Sequence, residues 1–195
     1  MTCFEDKTGL PPADPMFDID TERLDIRPFA ECDETLFCEL FTDADTMQYI
    51  GPLLSPERAV RSFRQAVSLT RRRPAQRLFF TVAVRSLQRK VGICSLQQID
   101  PVRRWAEAGV VLKSSARAQG FAREILPALA SRAFNEFPID EVWLQYSAAH
   151  ALAERLFVAA GFSRCPDPAV YGEGPGKRVW SVRRTSWDQS VSANR

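Results

Sequence analysis

Large apolar residues fall along this chain in two rhythms, separated by short polar breaks. Leu24 and Ile26 alternate with charged neighbours ahead of Pro28, which predicts a half-buried strand over residues 22–29. Behind Asp33, a candidate helix cap, Leu36, Phe37, Leu40 and Phe41 recur at helical spacing. A second helix is signalled by Ser55 as N-cap, Pro56 at the first helical position and Glu57 in the first turn. Val60, Phe63 and Val67 form its stripe, and it should stop before Pro74. Residues 78–84 and 91–99 are rich in β-branched and aromatic side chains around a polar break, the pattern of a hairpin. Residues 106–112 predict a strand and 121–134 a helix, with Pro127 inside it and a kink expected near 123–127. A strand over 141–146, an alanine-rich helix over 149–160 ended by Gly161, a Pro- and Gly-rich loop over 164–176 and a strand over 177–184 complete the order. Strands interleaved with helices in this way predict an α/β fold.

Composition narrows this picture without changing it. With 195 residues, 45% of them hydrophobic and 26% charged, the chain can bury one substantial core. The expected division is a flexible or loosely docked extension over 1–20, a single domain over 21–185 and a frayed tail over 186–195. Basic and acidic residues nearly balance, 26 against 24, so nucleic acid is not an expected partner. The run Arg71, Arg72, Arg73 and Arg77 reads as a solvated helix end or a small anion patch. The five cysteines form no Cys-x-x-Cys pair and are expected as thiols, and His150 is the only histidine, which argues against a multi-histidine metal centre. No apolar run is long enough to span a membrane and no signal-peptide pattern opens the chain, so a cytoplasmic location is expected.

The chemistry is concentrated at Arg117-Ala118-Gln119-Gly120-Phe121-Ala122, a small-residue turn between an apolar strand and an amphipathic helix. A helix start offers unpaired N–H groups and the positive end of the macrodipole, and glycine lets a ligand approach the backbone. A pyrophosphate suits such a place. The other reading is an ordinary strand-to-helix turn with an exposed Arg117.

Read together, Glu107-Ala108-Gly109-Val110-Val111-Leu112 and Arg117-Ala118-Gln119-Gly120-Phe121-Ala122-Arg123-Glu124 resemble the GCN5-related N-acetyltransferase (GNAT) superfamily, in particular its branch of ribosomal-protein N-terminal acetyltransferases. The register matches throughout, with Ala118 replacing the family's first glycine; alanine is tolerable there only if the position needs no positive φ. The resemblance implies a mixed, splayed sheet flanked by helices on both faces, with acetyl-CoA in the cleft between parallel central strands. It implies that Val110, Val111 and Leu112 offer backbone groups to the pantetheine arm and that Arg117, Ala118, Gln119, Gly120, Phe121 and Ala122 hold the pyrophosphate.

A second family block, Asn-x-x-Ser followed by a helix and Gly-Phe, is met here by His150-Ala151-Leu152-Ala153 and Gly161-Phe162. His150 either replaces the coenzyme-touching asparagine or caps a helix in solvent. The family's usual acids fall at Phe157 and Ala153, which donate no proton. Glu107 matches the position at the mouth of the cleft and is either the base for an ammonium substrate or a solvated strand-end glutamate; Tyr146 is a weaker candidate. The implied reaction is direct acetyl transfer from acetyl-CoA to a primary amine of a small molecule or a protein N-terminus, with a non-catalytic acyl-CoA-binding protein as the alternative. Neither membrane nor nucleic acid is an implied partner, and a homodimer is compatible.

Overall fold

The computed structural model describes residues 17–150, 153–166, 168–171 and 176–193. Within them β1 (Ile19–Asp20), β2 (Leu24–Pro28), β3 (Leu78–Val84), β4 (Arg89–Asp100), β5 (Trp105–Leu112), β6 (Glu141–Ser147), β7 (Ser163–Arg164) and β8 (Lys177–Arg183) form one sheet in the order β1-β2-β3-β4-β5-β6-β8-β7. Neighbours are antiparallel except β5 and β6, which run parallel. A parallel pair needs a crossover, and α4 (Phe121–Glu136) supplies it.

Each face of the sheet finds its helices through the strand alternation. Phe29, Ile93 and half-buried Val111 meet Leu36, Phe37 and Leu40 of α1 (Glu34–Thr42) and Phe63 and Val67 of α3 (Pro56–Arg71). The opposite face carries Leu96, Ala106, Ala108, Val142 and Leu144 against Ile125, Leu126 and Leu129 of α4 and Phe157 of α5 (Ala153–Ala159). The start of α3 follows its sequence signal, with Ser55 Oγ accepting from Arg58 N at 3.4 Å and Pro56 in the first turn. A short helix, α2 (Ala44–Met47), continues α1 after Asp43, whose carboxylate accepts from Thr46 N at 2.8 Å and caps it.

An ion cluster joins the first strand and helix to the sheet. Asp33 is fully buried and accepts from Arg27 Nη1 and Nη2 at 2.8 and 2.9 Å, Lys90 Nζ at 2.6 Å and Ala30 N at 2.9 Å. Burial alone would raise its pKa, but these donors outweigh it and hold the carboxyl below the usual range. Asp33 is thus an anchor as well as the residue preceding α1.

The ends of the chain differ from expectation. Residues 17–20 are docked: Phe17 and Ile19 are buried, Phe17 stacks on Phe137 at 6.2 Å, and β1 pairs with β2. Residues 1–16 of the expected flexible extension lie outside the described residues. Nor does the chain fray at 186, because α6 (Arg184–Ala193) follows β8 directly. Arg184 donates to the carbonyls of Phe137 at 3.0 Å and Ile139 at 2.7 Å and lies 5.2 Å from the Phe134 ring centroid, while Trp187 packs against the same ring. Arg184 and Trp187 thus make tertiary contacts that hold the start of this helix against α4 and β6. Helix α4 continues through Pro127, which has no N–H to donate to the Arg123 carbonyl. Cys38, Cys94 and Cys165 are free thiols as expected; Cys32 is disulfide-bonded, against expectation.

Candidate active site

The parallel pairing of β5 with β6 stops early. Its register is Trp105 with Glu141, Ala106 with Val142 and Glu107 with Trp143, and beyond Glu107 the two strands follow their outer neighbours instead. β5 stays paired with β4 as far as Leu112, and β6 with β8 as far as Ser147. A wedge therefore opens between residues 108–112 and 144–147.

The ladder on the far side fixes which backbone groups line this wedge. Lys113 N donates to Val91 O at 2.9 Å, so 91 and 113 are a hydrogen-bonded pair, and in the antiparallel register so are 93 with 111 and 95 with 109. The alternation turns the N–H and C=O of Val110 and Leu112 toward the wedge and those of Val111 back to β4. Of the three residues expected to offer backbone groups, Val110 and Leu112 face the opening; Val111 contributes its side chain to the α1/α3 core.

At the end of β5, residues 117–122 make the turn into α4. Gly120 has φ 79°, and Ala118 has φ 58°, so the position where alanine stands does take the left-handed conformation. That costs an alanine about 1–2 kcal/mol. Arg117 turns away from the helix start and donates through Nη2 to the Asp45 carbonyl at 3.1 Å, tying the turn to α2. Phe121 points its ring into the core, leaving its backbone at the first turn of α4. Gln119 is exposed, with Nε2 donating to Ser115 O at 2.8 Å, and Ala122 is half-buried.

Sequence reasoning missed what braces this turn. Arg23, just before β2, donates from Nε to Glu124 Oε2 at 2.7 Å, from its backbone N to Glu124 Oε1 at 2.8 Å and from Nη1 to the Gln119 carbonyl at 3.0 Å. Its guanidinium lies 5.0 Å from the centroid of the Phe121 ring, and Thr21 Oγ1 also donates to Glu124. Burial would raise the Glu124 pKa, but the Thr21 and Arg23 donors hold the carboxyl below its ordinary value. A signal existed in the Glu at the fourth position of α4, since a carboxylate near an anion site calls for a cation nearby.

Glu107 stands at the apex of the wedge, half-buried, with Oε1 accepting from Gln145 Nε2 at 3.1 Å and Oε2 from Gln98 Nε2 at 3.0 Å. Gln98 reaches it from an irregularity in the β4–β5 ladder between Gln97 and Asp100, where its φ is 47°. Glu107 is therefore held between two amides, not loose in solvent. Beside it Gly109 faces Ser95, whose Oγ would lie 2.9 Å from any added Cβ, so glycine keeps this floor open. Trp105, Trp143 and Tyr171 pack on the same face, with ring centroids 4.9 Å from Tyr171 to each tryptophan. Burial first, then the neighbouring Glu141 and Cys165, push the Tyr171 hydroxyl above its usual pKa.

His150 follows β6 at the open end of the wedge and is not a solvent-facing cap. It is half-buried, meets Tyr49 edge-on at 4.6 Å, and its Nδ1 is buried with no hydrogen-bond partner among the described residues. Tyr49, which follows α2, was not singled out by its sequence context. On the α5 side Phe157 is buried against Tyr146 at 5.0 Å and Trp180 at 5.9 Å. The Tyr146 hydroxyl donates to Glu154 Oε1 at 2.7 Å, and Arg178 pairs with the same carboxylate. Burial and that hydrogen bond both raise the Tyr146 pKa.

An extended arm pairing with a free strand edge and an anion seated at a helix start fit a coenzyme A thioester. A family model described as the acetyltransferase (GNAT) domain matches residues 23–163, well over half of the chain. The chain belongs to the GNAT acetyltransferase family, whose acyl donor is acetyl-CoA. Among solved structures it is similar to a GNAT-family acetyltransferase from Bacillus anthracis, at 20% identity over 86% of this chain and 98% of that one, TM-score 0.69. It is similar also to spermidine N-acetyltransferase from Vibrio cholerae in complex with CoA and spermine, at 16% over 85% and 98%, TM-score 0.69. The third is RimL, a ribosomal L7/L12 α-N-protein acetyltransferase in complex with coenzyme A, at 14% over 85% and 97%, TM-score 0.71. These likenesses establish the mixed, splayed fold, and they do not single out the ribosomal-protein branch.

Proposed function

We propose that this chain is an acetyl-CoA-dependent N-acetyltransferase that moves the acetyl group by direct attack to a primary amine of a small molecule or a protein N-terminus. The observation that carries this reading is the free inner edge of β5 at Val110 and Leu112, running down to a carboxylate, Glu107, at the apex of the same wedge. Acetyl-CoA supplies the acetyl group as a thioester, with a carbonyl carbon open to attack and a thiolate that leaves.

The residues divide the remaining work. The N–H groups at the start of α4, around Gly120, Phe121 and Ala122, receive the pyrophosphate. Val110 and Leu112 align the pantetheine arm, and their outward N–H groups orient and polarise the acyl carbonyl. His150, half-buried at the open end, takes the place of the family's coenzyme-touching asparagine. Glu107 takes one proton of the substrate ammonium, directly or through water; the neutral amine then bonds to the carbonyl carbon as the C–S bond breaks, and the second N–H proton passes to solvent to leave the neutral amide. The departing sulfur takes its proton from solvent, since Phe157 and Ala153 donate none.

The competing reading, a non-catalytic acyl-CoA-binding protein, draws on those same two residues. One experiment separates them. Glu107→Gln should lower thiol release from acetyl-CoA with an amine acceptor by ~10²–10⁴-fold while leaving coenzyme A affinity nearly unchanged. Parent turnover should rise with pH as free amine becomes available. Equal activity of parent and variant across pH removes Glu107 as base, and an inert parent that still binds coenzyme A favours the binder.

A further inference from the structure

One of the two amides that hold Glu107 reaches it only because the sheet is locally distorted. β4 pairs Gln97 with Glu107 and Asp100 with Trp105, so Gln98 and Ile99 together stand opposite Ala106 alone, a β-bulge. Side chains two apart share a face, and regular alternation would send Gln98 the way of Leu96, into the core beside α4. The bulge shifts that alternation by one. Leu96 and Ile99 are both buried in the core, Gln97 keeps the face of its partner Glu107, and Gln98 joins it there, donating from Nε2 to Glu107 Oε2 at 3.0 Å.

A bulge whose first residue is left-handed ordinarily carries glycine at that place. Gln98 has a φ of 47° there, a conformation disfavoured for a residue with a Cβ. Packing does not explain the choice, because Gln98 is exposed. The neighbouring backbone is satisfied without its side chain: Ile99 N donates to the Gln76 carbonyl at 3.1 Å, and Asp100 closes the next turn by accepting from Val102 N at 2.8 Å and Arg103 N at 3.0 Å. What the glutamine adds is its bond to a carboxylate. A strained backbone position kept for one contact to a reactive group is the pattern of an active-site constraint.

The second amide comes from the other side of the splay. Backbone pairing between β5 and β6 ends at Glu107 with Trp143, and Gln145, two residues further on and on the same face, donates from Nε2 to Glu107 Oε1 at 3.1 Å. One carboxylate oxygen is tied to β4 and the other to β6, which fixes the plane of the carboxylate at the apex. Resting on the acetyltransferase reading above, we infer that Gln98 and Gln145 are positioning residues for acetyl transfer, holding Glu107 in the orientation from which it takes the ammonium proton, and that the left-handed bulge at Gln98 is kept for this. Neither amide exchanges a proton in the reaction. Their effect is on orientation, where a misplacement of about 1 Å can cost ~10²-fold in rate.

Steady-state thiol release from acetyl-CoA tests this, with glycyl-serine amide, spermidine and glucosamine as acceptors. Both glutamines are exposed, so Gln98→Leu and Gln145→Leu leave the core intact. Each should lower kcat about tenfold with the KM for acetyl-CoA unchanged. In the Glu107→Gln background neither should cost anything further, because the group they orient no longer takes a proton. Gln98→Gly should lower kcat to the same extent while holding or raising Tm, since glycine relieves the left-handed backbone; a purely structural glutamine would move activity and stability together. Full kcat in both leucine variants beside a collapsed Glu107→Gln overturns the inference alone. So do equal losses with and without the Glu107 carboxylate, which would make the glutamines act on the acceptor or the fold. A Glu107→Gln variant as active as the parent removes the base and the positioning role together, and a parent that binds coenzyme A yet transfers to none of the three acceptors overturns the enzyme reading on which both stand.

Discussion

Arg23→Met isolates the brace behind the turn into α4, the proposed pyrophosphate site, because it keeps the aliphatic stem and removes the guanidinium. Three contacts disappear: the 2.7 Å bond to Glu124 Oε2, the 3.0 Å bond to the Gln119 carbonyl and the stacking over Phe121. Arg23 is nearly half exposed, at 45%, so the lost ion pair costs the free protein only about 1 kcal/mol, or roughly 2–4 °C in Tm. The effect on coenzyme A should be larger in kind. Glu124 is the fourth residue of α4, and at 1.5 Å rise per residue its carboxylate would lie on the order of 8 Å from an anion seated on the first turn. Left without Arg23, one such charge pair at effective dielectrics of ~80 to ~20 repels by about 0.5–2 kcal/mol, roughly a twofold to thirtyfold loss of affinity per phosphate charge. The assay is equilibrium binding of coenzyme A and, in parallel, of acetyl-pantetheine, which shares the arm and lacks the pyrophosphate. Coenzyme A should weaken and acetyl-pantetheine should not, and the deficit should shrink in added salt. Equal losses for both ligands, or none for coenzyme A, would refute the argument that Arg23 shields the phosphate turn from Glu124.

Two further outcomes follow from backbone and charge. Ala118→Gly should leave thermal stability unchanged or raise it by up to ~1 kcal/mol, because relief of the left-handed strain, about 1–2 kcal/mol, exceeds the added unfolded-state entropy of ~0.4–1 kcal/mol; a melting curve showing the usual loss from Ala→Gly would count against the φ of 58°. Asp33→Asn should destabilise by about 2–3 kcal/mol at neutral pH, since it leaves Arg27 and Lys90 without their buried partner. The folded pKa of Asp33 is depressed, so its contribution is present above the unfolded carboxyl range and lost as pH falls through the folded value. Denaturant melts from pH 7 down to pH 3 should therefore show the parent losing stability more steeply than the variant, and parallel curves would exclude Asp33 as a pH-dependent anchor.

The elements that could be read from sequence are those whose own periodicity decides them. Helix α3 carries its cap, first-turn proline and apolar stripe in consecutive residues, and β3 to β5 announce themselves by β-branched and aromatic density. What could not be read was held from elsewhere in the chain. The docking of 184–193 comes from Arg184 bonding to carbonyls more than forty residues away, and the two-residue strands β1 and β7 exist only because longer neighbours accept them. The candidate site divides along the same line. Gly120 and Glu107 stand out locally, as a helix-start glycine and a strand-end carboxylate. Arg23 meets the turn into α4 across about a hundred positions, and Gln98 and Gln145 meet Glu107 from two different strands. From sequence, alanine at 118 is tolerable only if the position needs no positive φ, yet its φ is 58°. The chain keeps the turn and accepts the strain, which is reasonable only where Arg23, Glu124 and the Arg117 bond to α2 over-determine the conformation. Strain held in this way is characteristic of ligand-binding turns, so the conformation of residues 117–122 supports a ligand at that place independently of any motif.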